Sequence, residues 1–109
     1  MGKSQRDKGK RGERLACSKL REVFPFVGRD LNDIYNKQGI DLVNTENLGI
    51  QVKHFVNHAS LSKLNEVKPR DGRIPVLISW PTNRKDAPAV VLSLDDFITI
   101  LNDIGVVFI

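Results

Sequence analysis

Residues 38–55 read QGIDLVNTENLGIQVKHF, and how their side chains alternate decides what kind of sheet this chain builds. Two apolar runs, 39–44 and 48–55, have strand length, and TEN between them is a three-residue hairpin connection. With residues 45–47 as the loop, Asn44 faces Leu48 and paired residue numbers sum to 92, which sets Asp41 directly opposite Gln51. Lys53 shares their face because strand side chains alternate with a period of two. Ile40, Leu42, Ile50 and Val52 collect on the other face, so the hairpin is expected to turn one apolar side to a core and to carry one polar cluster.

Outward from this hairpin, helical spacing of Ala16, Cys17, Leu20, Val23 and Phe24 predicts a helix over residues 9–24, closed by Pro25. Residues 25–38 mix Pro, Gly, Asn and Asp and read as an irregular loop with a short strand near Phe26 and Val27. After the hairpin, ASLSKLNEVK reads as a short helix capped by Ser60 or Ser62, and IPVLISW as a strand buried on both faces. PTNRKDAP is a turn, AVVLSL another strand, and Ser93 or Asp95 starts a last helix. The closing GVVFI reads as a final strand or an oligomer contact. The order α-β-β-β-α-β-β-α describes an α/β fold, a central mixed sheet flanked by helices, in a single domain of residues 1–109 with a basic N-terminal arm of about residues 1–9.

Charge is unevenly spread. Residues 1–22 hold eight basic and three acidic side chains, a balance of +5, whereas residues 89–109 hold Asp95, Asp96 and Asp103 and neither lysine nor arginine. A positive end of this kind is either a solubilising tail or an electrostatic footprint for phosphate backbones, with Lys8, Lys10, Arg11 and Arg14 as its nucleic-acid-binding candidates. Arg29, Tyr35, Lys37 and Gln38, in the loop before the first strand of the hairpin, are either further phosphate contacts or solvated side chains. No apolar run is long enough for a bilayer and the first residues lack a signal-peptide centre, so a cytoplasmic setting is expected. Cys17, the single cysteine, reads as a small packed hydrophobe, His54 and Trp80 as packing residues, and His58 as part of a connecting segment outside any ligand-spaced set.

Glu13 continues the helix stripe that contains Ala16, Cys17 and Leu20, so its carboxylate is either near the rim of the core or aimed at the polar cluster. From geometry two readings of Glu13, Asp41, Gln51 and Lys53 stand open. In one, Lys53 neutralises Asp41 or Glu13 in an ordinary buried network. In the other, carboxylate and carboxamide oxygens hold a hard ion such as Mg²⁺, which polarises a phosphoryl oxygen while the lysine ammonium offsets charge growing at phosphorus.

With GID on one strand, IQVK on the next and GKRGERL on a preceding helix, residues 8–80 resemble the PD-(D/E)XK nuclease superfamily, and more narrowly the archaeal-type Holliday junction resolvases and their phage relatives. The resemblance implies a restriction-endonuclease-like core and a metal-dependent endonuclease acting on branched DNA as a homodimer, with Mg²⁺ or Mn²⁺ as cofactor. It also implies roles: Asp41, Gln51 and the backbone carbonyl of Val52 as metal ligands, Glu13 holding metal-bound water, and Lys53 stabilising the attacking hydroxide. The sequence departs from the pattern twice. Gln51 stands where Glu is usual, and the loop before Asp41 has no serine. The alternatives are a DNA-binding module that keeps the nuclease fold with little catalysis, and a repair or restriction-type nuclease with another substrate geometry.

Overall fold

The computed structural model describes residues 3–105, with side chains from residue 9 onward. Helix α1, Lys3–Leu20, is followed by strand β1, Gly28–Arg29, and strand β2, Leu42–Val43, which pair antiparallel as a short ribbon. Strands β3, Leu48–Lys53, β4, Ile74–Ser79, and β5, Ala89–Val91, form a three-stranded sheet in that order. β3 and β4 are parallel, linked by a crossover that contains a 3-10 helix, Leu61–Glu66. β4 and β5 are antiparallel, and helix α2, Leu94–Asp103, follows. The chain is thus an α/β fold with a mixed sheet and helices.

α1 runs further toward the N-terminus than apolar spacing predicts, because KSQRDKGK is polar but contains nothing that prevents helix, and it stops earlier, at Leu20. The expected basic arm is therefore helical from Lys3. The 3-10 helix replaces the expected short α-helix, and Ser60 precedes it without a side-chain cap bond, its Oγ lying 2.9 Å from Ser62 Oγ instead. Ser93 does cap α2, accepting the Asp96 N–H at 3.1 Å. The expected final strand or contact at GVVFI, residues 105–109, lies outside the described residues from 106 onward.

The main core cluster holds Ala16 and Cys17 of α1, Val27, Leu42, Ile50 and Val52, and Ile74, Val76 and Ile78, with Leu20, Phe24, Trp80 and Ile100 packed against it, while Ile40, Val67 and Leu77 are buried outside it. The even-numbered side chains of β3 and β4 therefore face α1, as a period of two requires.

The regular hairpin expected between residues 39–44 and 48–55 is not formed. β2 gives its ladder to β1, and β3 takes β4 as its parallel neighbour. Asn44 and Glu46 in the connection both have left-handed backbone, φ 62° and 54°, which turns β2 out of the plane of β3. One backbone bond joins the two segments, from the Asp41 N–H to the Ile50 carbonyl at 2.8 Å, so Asp41 and Gln51 are not ladder partners. Ile40 is correspondingly on the other side of β3 from Leu42, packed at Gly49 beside Pro69 rather than within the main core.

Candidate functional site

Asp41 sits where the chain crosses the free edge of β3. Ile50 and Val52 have their backbone polar groups on that edge, whereas Lys53, whose carbonyl accepts the Trp80 N–H at 2.9 Å, bonds toward the β4 side. The Asp41 carboxylate takes the place of a missing ladder strand. Its Oδ2 accepts the Val52 N–H at 2.8 Å, its own N–H donates to Ile50, and its carbonyl accepts the Asp30 N–H at 2.8 Å. A residue's N–H and C=O point to the same edge of an extended strand, so the Val52 carbonyl emerges beside Asp41.

This carboxyl is pushed up to about 6. Burial is the main cause, the Val52 amide pulls the other way, Glu13 raises it further, Lys53 lowers it, and Asp30 adds to the rise. The charges of Glu13 and Lys53 are thus both felt at Asp41, as the sequence expects. The partners differ from the expected ones. Lys53 Nζ lies 3.4 Å from Glu66 Oε2, at the end of the 3-10 helix, and Lys53 is the main cause of the lowered pKa of Glu66. Glu13 Oε1 accepts the Arg29 Nε–H at 2.9 Å in a largely buried ion pair. Neither reading of the cluster had placed these two partners.

Gln51 is buried, and its Oε1 has no hydrogen-bond partner among the described residues. An unanswered carbonyl oxygen at this depth is costly, typically ~1–3 kcal/mol. Asp41 and the Val52 carbonyl offer oxygens of the kind a hard divalent ion takes, and Gln51, the residue before Val52 on β3, adds a carboxamide oxygen. The fit lacks a second acid: among the described residues no three His, Cys, Asp or Glu side chains come together as a metal cluster, and Glu13 is already held by Arg29.

Two glycines bring these pieces together. A Cβ on Gly12 would lie 2.7 Å from His54 Cβ, so the glycine lets α1 close onto the end of β3 and puts Glu13 beside the Asp41 edge. His54 is therefore a packing residue, as expected. Gly39 has φ 72°, and a Cβ there would overlap the Glu66 carbonyl oxygen, so it lets the segment before Asp41 lie against the segment that carries Glu66.

The nucleic-acid candidates divide. Arg14 and Arg29 line one open cavity of about 340 Å³ between α1 and β1, together with Arg21, which sequence reasoning passed over. The spacing of Arg14, Ser18 and Arg21, four and three residues apart, is the signal that could have found it. Cys17 is at the same cavity, and its thiol is pushed up by burial, then lowered by Arg21, raised by Glu13 and lowered by Arg29. Lys10, Arg11 and Lys37 are exposed, and the Lys8 side chain lies outside the described residues. Gln38 is not turned to solvent: its carbonyl accepts the Lys68 N–H and its Oε1 the Arg70 N–H. Tyr35 stacks under the Arg73 guanidinium, 4.3 Å from its ring centroid. His58 Nδ1 bonds Ser79 Oγ at 2.8 Å, Cys17 is buried, and Trp80 packs on the core.

No protein-family model matches the chain, and no curated protein and no solved structure matches it either. Among the described residues no helix is long and apolar enough to cross a membrane.

Proposed function

We propose that the chain is a divalent-metal-dependent endonuclease with a restriction-endonuclease-like core of the PD-(D/E)XK type, hydrolysing phosphodiester bonds in branched DNA of the Holliday junction class as a homodimer. The observation that carries this reading is Asp41, a half-buried acid raised to about 6 and anchored by a main-chain amide on the open edge of β3, the strand that also carries the unanswered Gln51 oxygen. A residue that costs the fold stability in its charged form is what a cation site needs and a purely structural position does not. Asp41, Gln51 Oε1 and the Val52 carbonyl would hold Mg²⁺ or Mn²⁺, which supplies the positive charge that polarises the phosphoryl group and acidifies water. Lys53, steadied by Glu66, presents its ammonium where charge grows on the phosphate oxygens. Arg14, Arg21 and Arg29 hold the nucleic-acid backbone nearby.

A second reading, a DNA-binding module on the same fold, is favoured by one specific feature: Glu13 is tied to Arg29 and Gln51 is uncharged, leaving Asp41 as the one uncommitted acid among these residues. Labelled four-way junction, flap, duplex and single-stranded DNA incubated with Mg²⁺ or Mn²⁺ separate the two. Nicking of the junction is expected, with Asp41→Asn and Lys53→Ala slower by roughly 10²-fold or more while still binding DNA. Binding without cleavage in either metal sinks the nuclease reading and leaves the module.

A further inference from the structure

The Arg29–Glu13 pair stands between two sites. On one side is the cavity lined by Arg14, Arg21 and Arg29, with Ser18, Gly28 and Leu31 completing its wall and no carboxylate among its lining residues. On the other is Asp41, whose pKa responds to the Glu13 charge. Arg14 and Arg21 form no ion pair among the described residues and are exposed at the cavity rim, whereas Arg29 is four-fifths buried at its floor. Three guanidiniums around a cavity of about 340 Å³ are more positive charge than one buried carboxylate behind them balances. The volume exceeds what a phosphate alone fills and leaves room for the adjoining sugar against Leu31, whose side chain is 74% exposed.

We propose that this cavity binds a backbone phosphodiester of nucleic acid, and that the bound phosphate competes with Glu13 for the Arg29 guanidinium, so that substrate binding releases the Glu13 carboxylate toward Asp41. Arginine presents a planar fork that matches phosphate oxygens in pairs, and Arg29 Nε is the donor now committed to Glu13 at 2.9 Å. A phosphate reaching that donor replaces one charge-assisted bond by another, an exchange close to neutral for Arg29. Glu13 is left with its charge unanswered and with a site for cations as its nearest outlet. The acid that the Asp41 site lacks in the free protein is thereby supplied when substrate arrives. Arg29 is here a positioning residue. The role of the released acid rests on the nuclease reading, whereas the competition for Arg29 does not.

The test is a titration of the full chain, without metal, by a dithymidine phosphodiester, its uncharged methylphosphonate analogue and inorganic phosphate, followed by amide and Arg Nε–H NMR signals. The dinucleotide is expected to shift the Arg14, Arg21 and Arg29 signals, including Arg29 Nε–H, and the methylphosphonate to bind at least tenfold more weakly. Arg21→Ala, at an exposed position, is expected to weaken binding roughly fivefold. Glu13→Gln removes the competitor and is expected to tighten binding at least threefold more than Glu22→Gln, the control for a general change of field. Equal effects of Glu13→Gln and Glu22→Gln overturn the competition, and so does an unmoved Arg29 Nε–H signal. Tighter binding of inorganic phosphate than of the dinucleotide overturns the nucleic-acid assignment. A dinucleotide that fills the cavity of a chain that cuts no DNA upholds this proposal while the nuclease reading falls.

Discussion

Asp41 carries two opposed energies. Its hydrogen bond from Val52 ties the crossing segment to β3, yet burial disfavours the charged form that makes this bond. The native pKa of about 6 lies above the unfolded value of 3.8, so the folded chain holds the proton through a window in which the unfolded chain has lost it. Stability therefore falls as pH rises from about 4 to about 6 and stays lower above it, by up to about 3 kcal/mol from this residue. Asp41→Asn keeps an oxygen for the Val52 N–H and removes the charge, so it is expected to stabilise the protein at pH 7 by ~1–3 kcal/mol and to flatten the pH dependence. Urea unfolding at pH 4 and pH 7 measures both. Millimolar Mg²⁺ is expected to raise the melting temperature of the native sequence at pH 7 and not that of Asp41→Asn. An asparagine variant less stable than the native chain at pH 7 would show that Asp41 is a structural acid.

Between elements, the sequence was most legible where one local period settles the answer. The β3 and β4 runs, the N-terminal cap of α2 and the alternation that separates Ile50 and Val52 from Gln51 and Lys53 were all readable from the sequence. The pairing of those strands was not. β3 joins β4 across a crossover of twenty residues, and β2 is drawn to β1, both choices made by long-range packing that a hairpin argument cannot see. Glu66 stayed hidden for the same reason: it meets Lys53 because of how the crossover folds back, at a separation that no helix or strand period marks. Gly39 is the hinge of that fold-back. Its φ of 72° is strained for any L side chain, and its Cβ would meet main chain rather than a movable side chain. Gly39→Ala is expected to cost about 2–4 kcal/mol, read as a lower denaturation midpoint. Because Gln38 and Gly39 hold the Glu66–Arg70 segment, amide exchange should quicken at Lys68 and Arg70 more than in β4. A uniform change would place the strain elsewhere.

At the scale of the whole molecule, the basic helix α1 and the acidic helix α2 differ in charge, and the sheet ends in an open edge. The arginine cavity and α1 carry the positive charge, and Ala16, Lys19 and Leu20 of α1 line a second cavity with Ala89 and Val90 of β5, whose outer edge has no strand partner among the described residues. Beside that edge Val90 is 58% exposed, and α2 leaves Leu94, Phe97 and Ile98 in solvent. An open edge next to exposed apolar side chains is a surface that proteins usually cover, and a second copy covers it most simply, since an isologous contact presents the same edge from both sides. α2 carries Asp95, Asp96 and Asp103 and no basic residue, so these acids have to stay at the rim of such a contact. Two chains joined through β5 and α2 would bring two copies of the Asp41 edge and of the arginine cavity into one assembly, one for each of two DNA strands, which is what the proposed homodimer needs for paired nicks. Sedimentation of the native chain at micromolar concentration is expected to give twice the chain mass. Phe97→Glu, at a position 45% exposed and outside the core cluster, is expected to give monomers with unchanged circular dichroism. A native chain that sediments as a monomer, with or without junction DNA, removes this interface and with it the paired-nick geometry, while the chemistry proposed at Asp41 would still act on one strand at a time.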